Sequence, residues 1–127
     1  MNNTFVENPH IVSWLEDGII HACYKPHLKH LTVEIAEQMV KDRLLMTDGI
    51  TRPLLVDLGN LNKTDREARK YLSEGEAMKD LSATAIIVRN QITRWLAGIY
   101  IKIDKPKIPT KFFTDKLNAL VWLQQYK

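Results

Sequence analysis

The apolar positions along the chain change their period several times, and each change marks an element. In HIVSWLEDGIIHACYK, residues 10–25, two β-prone runs flank Asp17-Gly18, the pairing that a two-residue type I′ turn prefers. That turn sets Trp14 opposite His21, Leu15 opposite Ile20 and Val12 opposite Cys23. Ile11, Leu15, Ile20, Ala22 and Tyr24 then share one apolar face, broken only by Ser13.

The period lengthens in LTVEIAEQMVKDRLLMTDG. Thr32 reads as an N-cap, Ile35, Ala36, Met39, Val40 and Leu44 form a helical stripe, and Gly49 reads as the helix stop. PLLVDL is a nearly continuous apolar run beginning at Pro53, the pattern of a strand buried on both faces. In TDREARKYLSEGEAMKD, Thr64 and Glu67 match the capping box of a second helix, with Ala68, Tyr71, Leu72 and Met78 directed inward. ATAIIVR is a second strand of the buried type. NQITRWLAGIYIK follows as a helix capped by Asn90, with Ile92, Trp95, Leu96, Ile99 and Ile103 on one side. Tyr100 and Ile101 fall off that stripe and suggest an interface. Pro106 and Pro109 end the helix and introduce the short strand TKFF. A last helix, capped by Thr114 or Asp115, is expected to bury Leu117, Leu120, Val121 and Tyr126.

The order ββαβαβαβα implies parallel strand pairs joined by right-handed crossovers, with the leading hairpin as an antiparallel edge. The expected fold is α/β: a mixed sheet of four or five strands with an N-terminal hairpin and four helices. Repeats, linkers and low-complexity segments are missing from the sequence, so residues 1–127 are read as one domain.

Composition changes this picture little. A 127-residue chain with 45% hydrophobic and 26% charged residues is that of an ordinary globular protein. Such a length buries roughly 65–70% of the unfolded surface, enough for a core without disulfides. The single Cys23 has no partner for a bridge, MNNTFVENPH lacks the regions of a signal peptide, and no apolar run approaches a membrane span. The expectation is a soluble, cytoplasmic protein. Charge is uneven: residues 1–63 carry six Lys/Arg against eight Asp/Glu, and residues 64–127 carry twelve against seven. The basic excess peaks in KIDKPKIPTKFFTDK. We read it as a solvated rim and expect no nucleic-acid partner.

Few constellations suggest chemistry. His21, Cys23, His27 and His30 lie close in sequence, but H-x-C…H-x-x-H fits no strong zinc spacing, so no metal is expected. An apolar strand would raise the pKa of Cys23 and blunt it as a nucleophile. Asp57 at a strand end and Asp65 at a helix start form a carboxylate pair, yet no His or Lys is tied to them by spacing. Helix-dipole and turn roles account for both. The aromatic residues fall mostly on core stripes. Phosphate-cradling glycine loops and hydrolase or metalloprotease motifs are missing, so catalytic residues and cofactors are not expected.

Certain segments carry a family resemblance: W-L-E-D-G-I-I (Trp14 to Ile20), R-P-L-L-V-D-L (Arg52 to Leu58), A-R-K-Y-L (Ala68 to Leu72), K-P-K-I-P-T-K-F-F-T-D (Lys105 to Asp115) and A-L-V-W-L (Ala119 to Leu123). In this order they resemble an uncharacterised bacterial branch of STAS-like proteins, with the SpoIIAA-like fold of anti-sigma-factor antagonists. In phospho-regulated members of that family the V-D-L strand leads to D-S-S-G or D-S-T-G, whose hydroxyl is phosphorylated by a partner kinase. Here Asp65, Arg66, Glu67 and Ala68 stand in those places, keeping the Asp and losing both hydroxyls and the Gly. The neighbouring Thr64 is explained as a cap.

The resemblance implies a non-enzymatic regulatory or protein-interaction module that lacks the usual phosphoacceptor serine. Its expected partner is an anti-sigma factor, a kinase or another signalling protein, and a homodimer remains open. The candidate partner-binding corner comprises Asp57, Asn60, Asn62, Thr64, Asp65, Arg66 and Arg69, next to the third helix. The alternative is a small-ligand or acyl-chain binding module, for which a close-packed core of this size offers little room.

Overall fold

The Asp17-Gly18 pair adopts left-handed backbone at both positions, φ 53° and 76°, and closes the hairpin of β2 (Ile11–Glu16) and β3 (Ile19–Tyr24) in the expected register. Trp14 pairs with His21 and their rings stack, with centroids 4.9 Å apart. Ile11, Ser13, Ile20, Ala22 and Tyr24 are buried together. The computed structural model describes residues 4–127.

From this hairpin a six-stranded sheet grows in the order β1-β2-β3-β5-β7-β8. The strands are β1 (Phe5–Glu7), β5 (Arg52–Asp57), β7 (Leu81–Ile87) and β8 (Thr110–Phe113) with the hairpin pair. β1 to β3 are antiparallel, and β3, β5, β7 and β8 are parallel. The architecture is thus the mixed α/β sheet with an N-terminal hairpin and four helices, but with six strands rather than four or five. The added strand is β1, which is too polar to show a period. It is placed by Asn8, whose Oδ1 accepts the backbone N–H groups of His10 and Ile11 and folds β1 back onto β2. A separate two-stranded pair joins β4 (His30–Leu31) to β6 (Lys63–Thr64).

The helices are α1 (Val33–Thr47), α2 (Arg66–Ser73), α3 (Gln91–Ile99) and α4 (Lys116–Leu123). Three of the four beginnings follow the sequence reading. Thr32 caps α1, Asn90 caps α3 through a reciprocal box with Thr93, and Asp115 accepts the Leu117 N–H at α4. The Thr64–Glu67 capping box does not form. Thr64 is paired with Leu31 in the β4–β6 ladder, Asp65 takes the N-cap position, and no side chain caps α2.

The sheet separates two cores. Leu54 and Val56 of β5 join α1, α2 and α3 on one face, while Leu55 joins α4 with Ile19, Ala83, Ala85 and Ile87 on the other. An apolar run without alternation is what this two-sided burial demands. Two inward faces differ from expectation. α3 buries Thr93, Leu96 and Ala97, a narrow stripe of modest side chains, and leaves Ile92 and Trp95 exposed, as is Ile103 just beyond it. α4 buries Ala119 and Leu123 and leaves Leu117 and Val121 exposed. In both helices small residues permit close approach to the sheet, and the bulkier apolar residues face out. Tyr100 is directed inward, its hydroxyl donating to the Leu72 carbonyl at 2.6 Å. Among the described residues no helix is long and apolar enough to cross a membrane.

Candidate functional site

The corner after β5 is built from its backbone outward. Gly59 has φ +57°, and a Cβ there would lie 2.8 Å from the Tyr24 carbonyl oxygen, so only glycine lets the chain turn against β3. Asp57 closes the turn by accepting the Gly59 N–H at 2.9 Å. The same carboxylate takes a two-point grip from Arg89, Nε at 2.9 Å and Nη2 at 2.5 Å. Burial pushes the Asp57 carboxyl up, but the Arg89 and Gly59 hydrogen bonds, with the charges of Arg89 and Lys116, hold it below its ordinary range.

Beyond Leu61, which is fully buried, the chain runs beside the β3–α1 loop. The Asn60 side chain donates to the Pro26 carbonyl at 3.2 Å, and the Asn62 and Lys63 N–H groups share the Lys29 carbonyl. His30 Nε2 meets Asp65 Oδ1 at 2.6 Å. Arg69 draws the corner together. Its Nε donates to Asp104 at 2.9 Å, and its Nη1 donates to the Thr64 carbonyl and hydroxyl at 3.2 and 3.1 Å. Asp104 lies in a single π turn, Tyr100–Asp104, that extends α3.

The seven corner residues therefore divide. Thr64, Asp65 and Arg69 form one network with His30 and Asp104, whereas Asp57 belongs with Arg89 at the opposite end of the loop. Asn62 and Arg66 are exposed. The Thr64 hydroxyl is already engaged by Arg69. Sequence reasoning weighed His30 only for a metal and did not place it, Arg89 or Asp104 at this corner, because a spacing of more than thirty residues from their partners leaves no local signal.

The other groups that could carry chemistry are dispersed. His21 is stacked on Trp14, and His27 lies tilted against His10 at 5.7 Å. Burial, followed by the Asp57 carboxylate, pushes the Cys23 thiol up. No group of three or more His, Cys, Asp or Glu side chains is gathered for a metal among the described residues. The core between the sheet and α1 to α3 contains a cavity of about 90 Å³ lined mostly by apolar side chains, with Arg43, Thr64 and Arg69 at its wall. That is smaller than the roughly 150 Å³ that admits benzene in an engineered core.

Beside the corner, α3 and its π turn leave three large apolar side chains in the open, as α4 leaves Leu117 and Val121. Trp95 is 65% exposed, Ile103 70% and Ile92 48%. Arg94 of α3 and Lys102, Lys105 and Lys107 in and after the π turn are exposed as well.

Against known proteins, the model of a domain of unknown function, DUF7793, matches residues 13–127. No curated protein matches the sequence. Among solved structures, the chain is similar to an uncharacterised protein of the DUF3478 family with a SpoIIAA-like fold from Shewanella loihica PV-4. The two are 25% identical, with a TM-score of 0.61 over 93% of this chain and 98% of the other.

Proposed function

Because the chain belongs to the DUF7793 family and has the SpoIIAA-like fold, we propose that it is a non-enzymatic STAS-type module that works by being occupied by a protein partner. The observation that carries this reading is the exposed row of Ile92, Trp95 and Ile103. Large aromatic and aliphatic side chains rarely stand together in water without a partner to cover them, and Trp is favoured at binding hot spots. The exposed cations of the same segment favour a partner with acidic groups beside its apolar centre. The resemblance to STAS-like proteins implies a signalling protein, such as an anti-sigma factor or a kinase, in that role.

The corner sits at the edge of this surface. Arg69 fastens α2 to Asp104 and so fixes the orientation of the corner relative to the π turn. Arg66 and Asn62 remain open to a partner. No serine stands at the Arg66–Ala68 positions of the corner, so this reading has no phosphorylation step there and association depends on shape and charge. The 90 Å³ core cavity gives the acyl-chain alternative no support.

The test is an interaction screen with the intact chain and a Trp95→Ala variant, followed by quantification with the purified partner. Trp95→Ala is expected to weaken binding by 2 kcal/mol or more, roughly thirtyfold, while leaving the unfolding midpoint in place. A partner that binds both proteins equally, or binding that requires phosphate on Thr64, overturns the reading.

A further inference from the structure

Trp14 is the point where the hairpin meets α4. Its ring stacks on His21 of the facing strand, with centroids 4.9 Å apart and planes 11° from parallel. Its Nε1–H donates to Glu16 Oε1 at 3.1 Å. Lys116 Nζ, from the first residue of α4, lies 5.8 Å from the centre of the same ring. Two basic side chains therefore attend one indole. Lys116 is exposed, whereas His21 is 4% exposed.

The charged groups facing His21 pull in opposite senses. Glu16 on β2 and Asp17 in the turn favour a proton on it, and Lys116 on α4 opposes one. On the other side β5 places the apolar Leu55 beside it. Burial, followed by the Lys116 charge, outweighs the two carboxylates and pulls the imidazole below its ordinary 6.5. Lys116 is itself in an adverse place, because the first turn of a helix carries partial positive charge. The Trp14 ring and the more distant Asp57 carboxylate, whose ionisation Lys116 favours, offset that.

We propose that His21, Trp14 and Lys116 form an acid-sensitive catch: a proton on His21 drives Lys116 from the shared indole and loosens the first turn of α4. A charged imidazole stacked on Trp14 takes the ring for its own cation–π contact, and two like charges then compete for one indole. Lys116 is exposed, so it is the partner free to leave. The direction in pH follows from where the proton binds. The unfolded chain binds it at about 6.5 and the folded chain only at lower pH, so the stability that neutral His21 gives is whole above 6.5 and is lost as pH falls below it. The catch acts on the core that α4 closes over Ile19, Leu55 and Ala85. That core lies across the sheet from α3, so release of α4 and partner docking are separate events.

The test is a pH titration of the intact chain downward from about pH 8, followed through the imidazole and indole resonances and the backbone amides of α4. His21 is expected to titrate below 6.5, with the Trp14 indole N–H and the amides of residues 116–119 moving at the same midpoint. Lys116→Met should raise the His21 midpoint and Glu16→Gln should lower it. His21→Phe keeps a ring against Trp14 but holds no proton, and the start of α4 should then no longer answer to acid. A His21 midpoint at or above 6.5, or one that Lys116→Met leaves unmoved, overturns the catch. An α4 that follows the midpoint of some other group, or still responds in the His21→Phe chain, overturns it as well.

Discussion

α2 and α3 each cover the same face of the sheet and each carry a cap motif in sequence, yet they begin in opposite ways. α3 begins locally: Asn90 accepts the Thr93 N–H, and the Thr93 hydroxyl accepts the Asn90 N–H. α2 begins through distant partners. Asp65 gives its carboxylate to His30, Thr64 gives its hydroxyl to Arg69, and Arg69 reaches Asp104. A T-x-x-E motif is thus only an offer, and it lapses when a β-ladder and a guanidinium claim the threonine first.

Three substitutions sharpen this contrast. The largest effect is expected for Arg69→Ala, which strands the mostly buried Asp104 carboxylate and frees the Thr64 hydroxyl. A loss of about 2–3 kcal/mol should appear in denaturant unfolding, toward the lower end for a broken buried pair. A loss below about 0.5 kcal/mol is what an exposed pair gives and would return α2 to local control. Asn90→Ala should follow at about 1 kcal/mol, the usual worth of a cap, and the loss should be unchanged in an Arg69→Ala background because the two helix starts share no partner. Thr64→Ala should cost least, roughly 0.5 kcal/mol, a single shared hydrogen bond. In the Arg69→Ala background it should cost almost nothing. A full cap-sized loss in both backgrounds would mean that Thr64 caps α2 after all.

The elements that were legible in the sequence are those set by neighbours in the chain. The Asp17-Gly18 turn fixed the Trp14–His21 register, and the unbroken apolar run of β5 announced its interior place between β3 and β7. Helix faces were less legible. At α3 the choice lay between a bulky row containing Trp95 and a modest one containing Thr93, Leu96 and Ala97. Hydrophobicity alone favours the former, whereas the space above the sheet admits the latter. β1 was hidden because its placement rests on Asn8, not on apolar alternation. The corner was legible as a place and not as a network. Its residues are local, but His30, Arg89 and Asp104 reach it only through the fold.

The strand order has a temporal consequence. In the main sheet each strand lies beside the one made before it: β1, β2, β3, β5, β7, then β8. A chain emerging from the ribosome amino end first can therefore assemble this sheet by accretion, every new strand adding to the edge its predecessor has just laid down. The β1–β3 meander closes from local contacts and serves as the seed, and each crossover helix then brings in one parallel neighbour. β1 stays at one edge throughout, while the other edge advances, successively β3, β5 and β7, and that moving edge is where a stalled or truncated nascent chain is most open to mispairing with another copy of itself.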